Sequence, residues 1–228
     1  MDDPRRGVVF DLDGVLVMSE HLWDEAWQAY SAQHDYAWTA DDTRRCQGMS
    51  VAEWAHYLAD RSSRNADHAA AVVIARVVES YRAGHVQLVP GAKSLVAATA
   101  MRVPIALASS APREIIDTVM TSMGIGAHFS ATVSSAEVDR GKPSPDVYLE
   151  AVRRLGVDAS ASIAVEDSSN GVRAASAAGL IVIGMPTAQY PLAADARALA
   201  QSVHDSLAGV ADAITRLLDR PANEEGRI

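Results

Sequence analysis

Gly7-Val8-Val9-Phe10-Asp11-Leu12-Asp13-Gly14-Val15 is the stretch from which the fold is read. Residues 6–10 end in a short apolar run that suits a buried strand. Two carboxylates follow it, two residues apart. In extended backbone alternate side chains share a face, so Asp11 and Asp13 converge on one point. Two anions held that close repel each other and push one pKa upward. A divalent cation relieves the repulsion, and oxygen-only ligands favour Mg²⁺ over zinc. Gly14 then lets the chain turn away without a Cβ penalty. The stretch predicts a metal-assisted carboxylate site with one aspartate free to act as nucleophile. Two solvated aspartates at a polar strand end are the plainer alternative, and the remainder of the chain decides between them.

Downstream of this stretch the pattern turns helical. From Ser19 to about Gln33, Leu22, Trp23, Ala26, Trp27 and Tyr30 recur at three- and four-residue spacings, with Ser19 the expected N-cap. Further helical patterns cover 39–46, 50–60 and 66–82. No strand pattern interrupts 19–87, and this segment holds all four tryptophans, Trp23, Trp27, Trp38 and Trp54. A helical segment with its own aromatic core predicts an inserted all-helical cap domain.

After Val89-Pro90-Gly91, strands and helices alternate. Strands are predicted at 103–108, 128–133, 162–165 and 180–184, with helices at 91–100, 112–123, 145–155 and 168–178 between them. Ser144 is the expected N-cap of the third of these helices, with Pro145 at its first position. Beyond Pro186 the pattern predicts a helix at 193–199, a short strand at 200–204 and a helix at 206–219; the polar tail 221–228 is expected to fray. Alternation of this kind predicts an α/β fold with a doubly wound parallel sheet. The expected domains are a catalytic core, residues 1–18 plus 88–228, and a cap, residues 19–87. In such sheets ligands bind beyond the carboxyl ends of the strands. Asp11 and Asp13 follow the first strand, Ser109 and Ser110 the second, Lys142 the third, and Glu166 and Asp167 the fourth. Each core strand thus points a phosphate- or metal-compatible group at one edge.

Composition narrows the function classes. With 49% hydrophobic and 21% charged residues, the 228-residue chain has enough apolar side chains for a substantial core. A formal net charge of −9 disfavours nucleic acid and anionic membrane as partners, since both require a basic surface. The only lysines are Lys93 and Lys142, which gives Lys142 weight. A single cysteine, Cys46, forms no internal disulfide and fits a reducing compartment. With no apolar signal region at the N-terminus and no run of about 18 apolar residues, the expectation is a soluble cytoplasmic protein.

Four segments in order, Phe10-Asp11-Leu12-Asp13-Gly14-Val15, Ala106-Leu107-Ala108-Ser109-Ser110, Gly141-Lys142-Pro143-Ser144-Pro145-Asp146 and Val165-Glu166-Asp167-Ser168, resemble the motifs of the haloacid dehalogenase superfamily. The resemblance is to its phosphatase and phosphomutase branch, with a Rossmann-like core and a helical cap inserted after the first motif. It implies Asp11 as the nucleophile that forms an aspartyl-phosphate, and Asp13 as general acid and then base. It implies Mg²⁺ held by Asp11, the Asp13 backbone carbonyl and Asp167, with Glu166 close by. Ser109, with backbone N–H groups near Ser110, and Lys142 would hold the phosphoryl group. Ser109 and Ser110 also suit a plain capping role for the next helix. Met18-Ser19 departs from the Asp-Ser that family members often carry, so any contact made by that Asp is missing.

Substrate selection is expected in the cap. The loop Arg44-Arg45-Cys46-Gln47-Gly48-Met49-Ser50 is its expected seat: Arg44 and Arg45 either grip a distal anion or form a solvated helix end, and Gln47 stands beside them. His21 is either a substrate contact or an ordinary surface residue. The leading expectation is a Mg²⁺-dependent phosphatase acting on a small phosphorylated metabolite, with a sugar phosphate as one candidate. A sugar phosphomutase resembling β-phosphoglucomutase is the alternative, and it would need cap cations to re-grip a phosphate. A non-enzymatic binding module predicts a degraded site, whereas all the expected groups are present.

Overall fold

Val8, Val9 and Phe10 are completely excluded from solvent because their strand, β1 (Val8–Phe10), lies at the centre of a six-stranded parallel sheet. The computed structural model describes residues 5–220; the tail expected to fray lies outside them. The other strands are β2 (Ile105–Ser109), β3 (Ala131–Ser134), β4 (Ile163–Glu166), β5 (Ile181–Gly184) and β6 (Ser202–Val203), in the order β3-β2-β1-β4-β5-β6. β1 is the point at which that order reverses, so a crevice opens beyond its carboxyl end. Register places the site: Phe10 pairs with Leu107 on one side and Val165 on the other, so Asp11 emerges beside Glu166.

The sheet divides its side chains by alternation. Val8, Phe10, Ile105, Leu107, Ile163 and Val165 face a core shared with α5 (Ala92–Ala100), α6 (Arg113–Ser122) and α10 (Leu207–Leu218). Val9, Ala106, Ala108 and Ala164 face α7 (Asp146–Leu155), α8 (Ser169–Ala177) and α9 (Ala194–Leu199). Helices therefore cover both faces, as the near-continuous apolar strands require. The alanines on the second face let α7 lie close to the sheet, and its Tyr148 is fully buried there.

The cap region comprises α1 (Glu20–Ala32), α2 (Ala40–Cys46), α3 (Val51–Ser62) and α4 (Ala66–Arg82). Its two connections to the core run side by side: Met18 N–H donates to Gln87 O and Val89 N–H to Leu16 O, both at 2.9 Å. Three local expectations change. Ser19 makes no capping bond to α1, because its hydroxyl is directed to Asp13. Ser144 does not cap α7; Pro145 precedes the helix and Ser144 Oγ donates to Asp146 Oδ1 at 2.8 Å. The strand expected from His128 begins at Ala131, since residues 126–128 form a single 3₁₀ turn that places Phe129 edge-on to Phe10.

Asp42 fastens the cap. Its carboxylate closes a capping box with Thr39, accepting from Thr39 N at 2.8 Å, and also takes the hydroxyls of Tyr36 and Tyr57. Burial raises the Asp42 carboxyl, but hydrogen bonds from Thr39, Tyr57 and Tyr36 outweigh it and bring the pKa down to about 2. A folded pKa below the unfolded value contributes stability above about pH 4, lost as pH falls toward about 2. Asp42→Asn is expected to cost about 1–3 kcal/mol at neutral pH. The gap from the parent protein should close as thermal melts are repeated down that window; a gap independent of pH would contradict the assignment.

Candidate active site

The carboxyl ends of β1 and β4 and the loop after β3 bring four charged groups together in the interior. Asp11 is 6% exposed, Asp167 4%, Lys142 1% and Glu166 0%. Lys142 Nζ lies 2.5 Å from Asp11 Oδ1 and 2.6 Å from Glu166 Oε1, and donates to Ala108 O at 3.1 Å. Tyr148 OH donates to the same Glu166 oxygen at 2.7 Å, while Ser168 N and Oγ both donate to Glu166 Oε2 at 3.2 Å. Both Glu166 oxygens are thus engaged by the protein. This suits it to fixing Lys142 rather than to reacting.

Burial lowers the Lys142 ammonium, but Asp11 and Glu166 more than offset it and hold it above its ordinary value, so it stays charged. Burial raises Asp11 well above the usual carboxylate range; Lys142 draws it back in part, and Glu166 and Asp13 push it further up. Asp167 is likewise raised, first by burial and then by Glu166 and Asp11. Oxygens of Asp11, Glu166 and Asp167 lie within 4.8 Å of one another. Three carboxylates with one ammonium leave an uncompensated negative charge in a buried place, which is costly without a cation. An all-oxygen donor set of this kind fits a hard divalent ion.

Gly14 makes the cluster possible. Its backbone is left-handed (φ +75°), and a Cβ there would stand 2.2 Å from Asp167 Oδ2. Gly171, in the first turn of α8, does the same for Glu166: a Cβ would stand 1.8 Å from Oε1. Gly171→Ala must therefore displace the Glu166 carboxylate, with an expected loss of about 1–3 kcal/mol from overpacking. Denaturant melts measure this, and an unchanged midpoint would show that the carboxylate moves freely.

Asp13 has a different environment. Its Oδ1 accepts from Ser19 Oγ, from Trp23 Nε1 at 3.2 Å and from Tyr81 OH at 3.3 Å, whereas no donor among the described residues reaches Oδ2. Burial raises its pKa, and the three donors oppose that rise. Trp23 and Tyr81 come from α1 and α4, so two of the three donors that oppose the effect of burial on this core aspartate belong to the cap.

The cap closes over these groups. Ser110 Oγ donates to Gly48 O at 3.2 Å, Asn170 Nδ2 donates to Gln47 O at 3.2 Å, and Arg82 pairs with Glu114 at 2.7 Å. The cavity between cap and core is only partly closed and has a volume of about 60 Å³, room for several waters or a small ligand. Asp11, Asp13, Ser110, Lys142 and Asp167 line its floor; Glu20, Trp23, Trp27, Gln47 and Trp54 line its cap side.

Among the expected residues, Ser109 is fully buried and its Oγ accepts from Ala111 N at 3.0 Å, so it shapes the turn while Ser110 reaches the cavity. Gln47 reaches the cavity. Arg44 and Arg45 do not: both are exposed and pair with Asp41, at 2.9 and 3.5 Å. The helix-end reading of that pair is the one this geometry matches. His21 is exposed on the first turn of α1, outside the cavity lining. Ser168 caps α8 through Gly171 N at 3.0 Å and also borders the cavity, whereas Glu20, Tyr81 and Tyr148 are site residues that the sequence did not single out. The tryptophans were read as cap core, and three of them are also cavity wall. The i, i+4 spacing of Trp23 and Trp27 behind Ser19-Glu20 was the available signal.

Comparison with known proteins agrees with this geometry. A family model described as haloacid dehalogenase-like hydrolase matches residues 6–179. The chain is 30% identical to validoxylamine A 7'-phosphate phosphatase of Streptomyces hygroscopicus subsp. limoneus, over 85% of this chain and 89% of that one. It is 32% identical to hexitol phosphatase B of Escherichia coli strain K12, over 83% and 89%. A crystal structure of CbbY from Rhodobacter sphaeroides in complex with phosphate superposes with a TM-score of 0.78 at 26% identity, covering 90% of this chain and 95% of that one. No helix among the described residues is long and apolar enough to cross a membrane. A doubly wound sheet with a helical cap, and a buried aspartate cluster where β1 ends, accompany that match: the chain belongs to the haloacid dehalogenase-like hydrolases and is an enzyme of their phosphatase type.

Proposed function

We propose that the protein is a Mg²⁺-dependent phosphatase that hydrolyses a small phosphorylated metabolite, of the sugar-phosphate kind, through an aspartyl-phosphate on Asp11. The observation that carries this reading is Asp11 itself: a buried carboxylate at the sheet's reversal point, held by Lys142 through one oxygen and bordering the cavity. Asp11 attacks phosphorus, and the bond from phosphorus to the ester oxygen breaks. Asp13, whose burial favours the protonated form at higher pH than usual, gives its proton to the departing alkoxide. It then takes a proton from the water that attacks the aspartyl-phosphate, returning Asp11 and releasing phosphate. Lys142 and Ser110 face the phosphoryl group, with Ser109 shaping the turn that presents Ser110.

Asp11, Asp167 and the Asp13 backbone carbonyl would hold Mg²⁺, with Glu166 beside them. When bound, the ion neutralises charge between carboxylates and phosphate. Residues 19–87 act as a cap that opens to exchange substrate and product, with a dry site between.

Named relatives support the phosphatase reading: one is named a validoxylamine A 7'-phosphate phosphatase and another hexitol phosphatase B. Hydrolysis is favoured over a phosphomutase reaction because Arg44 and Arg45 face solvent and, among the described residues, no cap cation lines the cavity to hold a second phosphate. Chelation should abolish phosphate release, and Mg²⁺ should restore it. A saturating concentration, at about 100 times Kd, should also stabilise the fold by about 2.7 kcal/mol. Full activity in chelator would refute the metal assignment, and clean isomerisation of a sugar phosphate without free phosphate would refute hydrolysis.

A further inference from the structure

Three polar atoms on the cap side of the cavity have no partner. Gln47 Nε2, Trp27 Nε1 and Glu20 Oε1 are each shut off from solvent and make no hydrogen bond among the described residues. All three side chains line the cavity. A buried polar group left unpaired typically costs about 1–3 kcal/mol, so three around one small space mark positions that a polar ligand can complete in place of water. Two are donors and one is an acceptor. A hydroxyl both accepts and donates, so a ligand carrying several hydroxyls satisfies all three.

The remaining surroundings narrow the ligand further. Trp23, Trp27 and Trp54 stand with ring centroids 6.1 Å apart, forming an apolar wall suited to the carbon face of a polyol or sugar. Thr43 is already committed to Asp24 and Trp38, and Tyr190 OH accepts from Gln189 Nε2 at 3.0 Å. Among the described residues lining the cavity there is no arginine or histidine, and the one lysine is bound by Asp11 and Glu166. Glu20 contributes a carboxyl, not a cation, to the cap side of the cavity. A quaternary ammonium would find the aromatic wall and Glu20 agreeable but would leave both donors unpaired.

We infer that the substrate's leaving group is neutral and polyhydroxylated, with no second anionic group, and that Gln47, Trp27 and Glu20 select it against the tryptophan wall. This inference rests on the phosphatase reading above. The test compares kcat/KM with Mg²⁺ for a hexitol monophosphate, the matching hexitol bisphosphate and p-nitrophenyl phosphate. The monophosphate should exceed the bisphosphate by at least about tenfold. Trp27→Phe keeps an aromatic ring and removes only the N–H; Gln47→Leu keeps the volume. Each should lower the ratio of hexitol-monophosphate to aryl-phosphate kcat/KM about three- to tenfold, mainly through KM. A purely structural role would lower both substrates together and leave that ratio unmoved, which would overturn the inference, as would a bisphosphate used equally well. Phosphate release from the aryl ester alone would retain the phosphatase reading and reject this one. Release from none of the three would reject both.

Discussion

Asp11→Asn is expected to lower kcat at least about 10⁴-fold on any phosphate ester, because the attacking oxygen is replaced by an amide that forms no acyl phosphate. The fold should survive. An asparagine still presents an oxygen to Lys142, whose second carboxylate partner, Glu166, lies 2.6 Å away. Moreover, Asp11 is a desolvated carboxylate, so its neutral replacement removes a burial cost instead of adding one. Thermal midpoint and tryptophan fluorescence should therefore match or exceed those of the parent protein while turnover disappears. Residual activity above about one per cent, with an intact fold, would remove Asp11 from the nucleophile's role. Loss of activity together with loss of the fold would instead mean that the carboxylate is needed structurally.

The second large effect belongs to Lys142, and it falls on stability as well as rate. Lys142 is the cation that Asp11 and Glu166 share in the interior. Lys142→Met keeps most of the volume but leaves these carboxylates without their ammonium, and breaking a buried pair by removing one partner typically costs about 3–5 kcal/mol. In a chain of this size that corresponds to a fall in Tm of about 10 °C. Turnover should drop about 10²- to 10³-fold from the lost stabilisation of phosphoryl charge. Excess Mg²⁺ should recover part of the stability and little of the rate, because a divalent ion relieves the same repulsion from another position. A variant as stable as the parent without Mg²⁺ would show that Lys142 is not the interior counterion. Lys142→Arg should not rescue the rate, since a planar guanidinium does not fit a space shaped for a compact ammonium.

Much of this was legible in the sequence, for identifiable reasons. The apolar runs ending at Phe10, Ala108 and Val165 have the length of strands, and parallel pairing then brings their carboxyl ends to one edge. That gathered Asp11, Asp13, Glu166 and Asp167 without any knowledge of distances, and the strand that ends near Val133 added Lys142 from the loop that follows it. The cap's four helices followed from three- and four-residue spacing in the same way. Periodicity says which face of a helix is apolar, however, and not whether that face meets a core or a cavity. Trp23 and Trp27 meet both. Nor does it say that Ser19, an orthodox N-cap by position, turns instead to Asp13. The hydroxyl of Tyr81 reaches Asp13 across 68 positions of sequence, a contact that only the packing of α4 against the core reveals. Arg44 and Arg45 illustrate the converse: charge in the right loop invited a ligand, and a local i, i+3 and i, i+4 pairing with Asp41 accounts for them.

The central claim is that phosphate passes through a covalent bond to Asp11, and this is open to direct chemical capture. Enzyme turning over a hexitol monophosphate with Mg²⁺ is quenched with borohydride, which reduces an acyl phosphate to the corresponding alcohol, and its peptides are mapped by mass spectrometry. Reduction should appear at position 11, depend on both substrate and Mg²⁺, and be absent from Asp11→Asn. Reduction at position 13, or none at any residue while phosphate is released at the normal rate, would contradict the account.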